Sequence, residues 1–153
     1  MKKLLGIVVL GLLWCSIGFA ENNLKGIKQF KLLVDQTGKC DGVDYIDDLT
    51  ISAKYILGNS KIKLTKEYGG EYLYITVITV STETTCASTY RIETFNYSNV
   101  TNSAGNSYYG TVTSYEASGI SFNRPISDHK KAFISYVESA LKEFVVAWIE
   151  AQN

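Results

Sequence analysis

The stretch Tyr72 to Val80 (Tyr-Leu-Tyr-Ile-Thr-Val-Ile-Thr-Val) constrains this chain more than any other. It carries no charge, and all but one of its residues are β-branched or aromatic, the types that suit a pleated, half-buried backbone. Both alternating sets are largely apolar, which predicts a strand central in a sheet. Any fold has to be built outward from that strand.

The neighbouring segments supply the rest of a sheet. Leu24 to Val34 sets Ile27, Phe30, Leu32 and Val34 among lysines and predicts a first strand. Its consecutive Leu32, Leu33 and Val34 point to burial on both faces. Asp35-Gln36-Thr37-Gly38 carries turn chemistry. Ile62 and Leu64 predict a short, half-exposed strand. Ser88 to Tyr97 predicts a long one, with Tyr90 and Ile92 on one side and Arg91 and Glu93 on the other. The polar loop Asn99 to Asn106 leads into a returning strand, Tyr108 to Tyr115, which Ser118-Gly119 is expected to break.

Two segments have helical spacing. In Asp44 to Leu57, the residues Tyr45, Leu49, Ala53, Ile56 and Leu57 recur three and four apart, and Gly58-Asn59 is a plausible C-terminal cap. After Pro125, Ser127 or Asp128 caps a last helix. Its stripe is Phe133, Val137, Ala140, Leu141, Phe144, Val145, Trp148 and Ile149. The predicted fold is α+β: one domain over residues 21–153, a largely antiparallel twisted sheet of about five strands, with two helices packed on one face.

Residues 1–20 read as a secretory signal that is cleaved. Lys2 and Lys3 precede an apolar run from Leu4 to Ile17, and Gly18-Phe19-Ala20 closes it before Glu21. The run is shorter than the roughly 20 apolar residues of a membrane span, so no stable span is expected after cleavage. Retention as an anchor is the alternative. Leu12-Leu13-Trp14-Cys15 has the outline of a lipoprotein signal, although Trp14 is bulky where such signals carry a small residue. The expected location is periplasmic or secreted.

Losing the leader takes Cys15 away and leaves Cys40 and Cys86 in an oxidising compartment, where a disulfide is expected. Two buried free thiols are the alternative. Losing Lys2 and Lys3 leaves thirteen basic against fifteen acidic residues, a net charge near −2 with no basic block. Nucleic acid is therefore not expected as a partner, because phosphates are held by clustered Lys and Arg.

No chemical motif is complete. Asp41, Asp44, Asp47 and Asp48 crowd the start of the first helix, where the helix dipole favours acids, and their spacing is not that of a calcium loop. His129 is the only histidine, expected to face solvent in the first turn of the last helix. Zinc sites need several His or Cys ligands, so no metal and no cofactor is expected. Asn96-Tyr97-Ser98 and Asn99-Val100-Thr101 fit the glycosylation pattern, which carries little meaning if the chain is bacterial. The tyrosines are the unusual feature, eleven in all. Tyr72, Tyr74, Tyr90, Tyr108, Tyr109 and Tyr115 form a possible binding surface if they project from one open face. The plainer reading places them in core or cross-strand pairs.

The arrangement resembles small secreted bacterial proteins without an assigned activity. The likeness rests on Leu24-x-Gly26-Ile27 before a strand, an aspartate-rich helix, Tyr72-Leu73-Tyr74-Ile75-Thr76-Val77, a strand after Cys86, and Phe144-x-x-x-Trp148 in a terminal helix. At fold level it is also similar to periplasmic accessory domains of the TolB amino-terminal kind, which implies protein contacts. The expected role is a non-enzymatic secreted or envelope accessory domain that binds another protein or itself. A small-molecule or glycan binder using the tyrosines is the alternative, and a hydrolase of unknown class is a further one.

Overall fold

The structure is a computed structural model that describes residues 24–40, 43–83, 85–123 and 126–153. The predicted signal over residues 1–20, together with Asp41 and Pro125, lies outside the described residues. The elements run β1 (Gln29–Thr37), α1 (Ile46–Asn59), β2 (Lys63–Leu64), β3 (Glu71–Ser81), β4 (Cys86–Thr101), β5 (Ser107–Asn123) and α2 (Ile126–Gln152).

The five strands form one sheet in the order β2-β1-β3-β4-β5. The stretch predicted to be central is central. Strand β1 runs parallel to both β2 and β3, while β3, β4 and β5 pair antiparallel over most of the sheet's paired length. Parallel pairing needs a crossover, and α1 supplies it between β1 and β2.

Both helices cover the same face. Leu49, Ala53, Ile56 and Leu57 of α1 and Phe133, Val137, Leu141 and Phe144 of α2 meet Phe30, Leu73, Ile75, Val77 and Ile92 of the strands. The rings of Phe30 and Phe144 meet edge-on at 5.5 Å. The end of α2 also ties down the start of the described chain. Trp148 Nε1 donates to the Ile27 carbonyl at 2.8 Å, and Gln152 Nε2 donates to that of Leu24 at 2.8 Å.

Several boundaries differ from those expected. The first strand begins at Gln29, because Gly26 takes φ +80° and turns the chain after buried Leu24. It then runs through Asp35 and Gln36, whose pairing with Thr76 and Val77 overrides their turn chemistry. Helix α1 continues through Gly58 and Asn59, and the left-handed residue that ends it is Lys61 at φ 64°. Strand β5 does not break at Ser118-Gly119. Gly119 pairs with Tyr90, and a Cβ there would come within 2.7 Å of the Tyr90 ring, so the glycine makes room for an aromatic neighbour. A bulge at Thr94/Phe95 leaves Ser114 as the extra residue of β5.

Cys40 and Cys86 are bonded, with Cα atoms 5.9 Å apart and 46 positions between them in sequence. The bond pins the loop after β1 to the start of β4. Gln36 reinforces the same loop: its Nε2 donates to the carbonyls of Gly38 and Val43, and its Oε1 accepts from the Tyr45 N–H at 2.8 Å. Gly38 lies so close to β3 that a Cβ would sit 2.0 Å from the Thr79 carbonyl oxygen, and its φ is +79°.

Two outcomes follow for stability. Closing a loop of this length is worth about 4 kcal/mol by chain entropy, so Cys40→Ser should cost about 2–4 kcal/mol in urea unfolding. Gly38→Ala should cost at least about 2 kcal/mol, since strain and overlap act together. A Gly38→Ala midpoint equal to that of the parent would contradict the close approach of this loop to β3.

Candidate functional site

With both helices on one face, the side chains on the other face of the sheet have no layer over them. Registered pairing identifies these residues. Lys31, Leu33 and Asp35 of β1 align with Tyr72, Tyr74 and Thr76 of β3. Those in turn align with Phe95, Glu93 and Arg91 of β4. Beyond β4 come Thr111, Thr113, Glu116, Ser118 and Ile120 of β5.

Two zones divide this face. At one end Tyr72, Phe95, Tyr97 and Tyr109 make a ladder of rings. Tyr72 and Phe95 are stacked at 5.2 Å, Phe95 and Tyr97 meet edge-on at 5.8 Å, and Tyr97 and Tyr109 stack at 6.1 Å. Tyr74 joins edge-on to Phe95 at 6.3 Å and donates its hydroxyl to Asp35 Oδ2. At the other end lie three exposed aliphatics, Ile78 (50%), Val80 (64%) and Ile120 (59%). Between the zones Arg91 bridges Glu93 at 3.0 Å and Glu116 at 3.1 Å. A shallow concavity of about 530 Å³ lies here, lined by Thr76, Ile78, Arg91, Glu93, Ser118 and Ile120 among others.

The ring geometry limits what can bind. Stacked neighbours turn their faces toward one another, so within the ladder the ring faces are shared and only the outer face of the last ring, Tyr109, is left open. A sugar ring needs an open aromatic face, whereas a protein surface packs against aromatic edges and aliphatic groups alike.

The six predicted tyrosines do not share one face. Tyr72, Tyr74 and Tyr109 lie on the uncovered face as expected. Tyr90 and Tyr115 point toward the helices, against Phe133 at 6.2 Å and Phe144 at 5.1 Å. Burial raises the pKa of both phenols. Tyr108 pairs with Val100 and projects from the opposite side of the β4–β5 hairpin. Phe95 and Tyr97, outside those six, also belong to the ladder. Their signal was available in the sequence: they share the odd-numbered parity of Arg91 and Glu93, the polar side of the strand.

His129 is not solvent-facing; it is 1% exposed. It lies four residues before Phe133 and so on the helix's own apolar stripe. Its Nε2 bonds Ser88 Oγ at 2.9 Å, and Ser88 Oγ also meets Thr79 Oγ1 at 3.0 Å and Tyr45 OH at 3.4 Å. A hydroxyl offers one hydrogen and two lone pairs, so three partners saturate Ser88. The Ser88–His129 contact has the spacing of a nucleophile and its base. However, Ser88 exposes no surface to a substrate, and among the described residues His129 Nδ1 has no hydrogen-bond partner to orient the ring. The cluster is a polar knot joining β3, β4, α2 and the residue that precedes α1, beside the disulfide.

Asp44 and Asp48 of the aspartate group, and Glu71 of β3, are engaged locally. Asp44 Oδ1 accepts from the Ile46 N–H at 2.8 Å at the start of α1, and Asp48 pairs with Lys130 of α2. Glu71 Oε1 accepts from Asn96 Nδ2 at 2.6 Å, and burial raises its pKa. Among the described residues no three His, Cys, Asp or Glu side chains converge for a metal, and no helix is long and apolar enough to cross a membrane.

No protein-family model matches the chain, and no curated protein matches it. Among solved structures, a minor lipoprotein from Acinetobacter baumannii is similar at 11% identity and a TM-score of 0.34, covering 82% of this chain and 94% of that one. The rare lipoprotein B from Shewanella oneidensis is similar at 11% identity and 0.27, covering 80% and 92%. Scores this low carry no argument about role.

The polar knot makes two testable statements. Ser88→Ala strands three buried polar groups and should cost about 1–3 kcal/mol in chemical unfolding; no loss would contradict the network. Burial lowers the pKa of the His129 imidazole below its ordinary 6.5. The unfolded chain then takes up that proton first. The stability from neutral His129 is complete above about pH 6.5 and is lost as pH falls through the folded value. The parent's melting temperature should drop more between about pH 7 and 5 than that of His129→Gln. Equal drops would show that His129 does not titrate with folding.

Proposed function

We propose that this is a non-enzymatic accessory domain of the cell envelope or of the secreted fraction, and that it docks another protein on its uncovered sheet face. The observation that supports this is the composition of that face. Tyr109 is 72% and Tyr97 51% exposed, alongside Ile78, Val80 and Ile120. Exposed apolar groups gathered on one face mark interaction sites, and tyrosines are enriched among interface anchors. The Arg91–Glu93–Glu116 group between the zones offers both signs of charge, which can orient a partner without adding much affinity. The predicted signal segment supports a location outside the cytoplasm.

A second reading rests on the concavity around Arg91. Its volume lies within the ordinary range for small-molecule sites, about 300–1,000 Å³, and with Glu93 and Glu116 against one Arg91 it would favour a cationic group. The enclosing walls are shallow, so the protein-docking reading stands first.

A photoreactive amino acid placed at position 109 in the exported protein tests the proposal. Illumination of intact cells should yield one recurrent crosslinked protein, lost when Ile78→Lys and Tyr97→Asp are added. Crosslinks scattered over abundant neighbours, unchanged by those substitutions, would overturn it. Stabilisation of the purified protein by a small organic cation, abolished in Glu93→Ala, would favour the second reading.

A further inference from the structure

The two edges of the sheet are built differently. Strand β2 closes one edge with only two residues, Lys63 and Leu64, flanked by Lys61 and Lys66. A very short, lysine-rich edge resists pairing with other chains. Strand β5 closes the other edge with 17 residues, Ser107–Asn123. It has no Lys, Arg or Pro, and its one charged residue, Glu116, is already bridged to Arg91.

The outer part of β5 is also short of support. Pairing of β3 with β4 stops at Tyr72 and Phe95, so β4 residues 97–101 and their β5 partners 107–111 stand out as a two-stranded arm. The arm's rings are solvent-facing: Tyr108 is 55% and Tyr109 72% exposed. A ribbon of two strands is marginal in water, and a third strand is what stabilises one.

We infer that β5 pairs antiparallel with β5 of a second copy of this chain, over residues 107–113 and about a two-fold axis near Gly110. The identical segment of a second copy is an uncharged match for this edge. The segment is uncharged, so self-pairing opposes no like charges, and Glu116 falls beyond the paired stretch. This register sets Tyr108 opposite Val112 and Tyr109 opposite Thr111 of the second copy, on the two faces respectively. Aromatic and β-branched residues are favourable cross-strand partners. The same rotation repeats each pair, as an isologous interface requires. Seven residues a side bury less than the roughly 1,200 Å² of a stable complex, so the dimer is weak, with dissociation in the micromolar range or above. The inference stands apart from docking on the open face, since it uses the strand's edge.

Sedimentation equilibrium of the exported protein, from about 1 µM to about 1 mM, tests it. The parent should show a reversible monomer–dimer equilibrium. Thr111→Lys with Thr113→Lys, both at exposed positions, should weaken it at least tenfold, and Ile78→Lys on β3 should leave it unchanged. Amide hydrogens within residues 107–113 should exchange more slowly at the higher concentration. A parent that stays monomeric throughout overturns the inference. So does a dimer that survives the two lysines, or one that Ile78→Lys alone abolishes.

Discussion

Two helices can cover one face of a five-stranded sheet, and that limit shapes the rest of this molecule. The crossover through α1 places it over β1 and β2, and the long α2 returns over β4 and β5. Among the described residues no element remains for the other face. A protein could fill such a face with charge and leave it to water. This one keeps Arg91, Glu93 and Glu116 near the middle and puts rings at one end and aliphatics at the other. Burying the face would be favourable by the hydrophobic effect, and only something outside the described fold can bury it.

The covered side is held by more than apolar packing. The disulfide, the three bonds of the Gln36 side chain and the glycine at position 38 fix the loop between β1 and α1. That loop delivers Tyr45 to Ser88, whose hydroxyl is shared by three side chains, Thr79 from β3, His129 from α2 and Tyr45 from the N-cap of α1. Polar groups sealed from water must satisfy each other, so the knot sets the positions of its elements more narrowly than rings and methyl groups could. Its geometry is that of a general-base pair, yet its burial assigns it to structure. The reactive spacing and the absence of access come from the same packing.

Much of this was legible in the residues. The central position of Tyr72–Val80 followed from two apolar faces, and the helical periods placed both helices to within a few residues. What β3 alone could not show was which of its faces the helices would choose, because both are apolar. Strand β4 did show it for Tyr90, which shares the side of Ile92 opposite Arg91 and Glu93, whereas Tyr115 has the parity of Tyr109 and is turned under α2 by the bulge at Ser114. His129 was legible and was missed: its position four before Phe133 puts it on the buried stripe, while its polarity argued for solvent. Gly119 looked like a break because its neighbour across the sheet, Tyr90, is 29 positions away and invisible to local reasoning. The parallel half of the sheet was hidden for the same reason, since β1 shows no sign of the strand inserted beside it.

The most direct test of the central claim, that the uncovered face is occupied where the protein works, is hydroxyl-radical footprinting of intact envelopes against the purified protein. The account predicts that Tyr97, Tyr109, Ile78 and Ile120 are labelled strongly when pure and shielded in the envelope, while exposed Ile51 and Tyr55 on α1 are labelled alike in both. Equal labelling of the sheet face in the two preparations would contradict it.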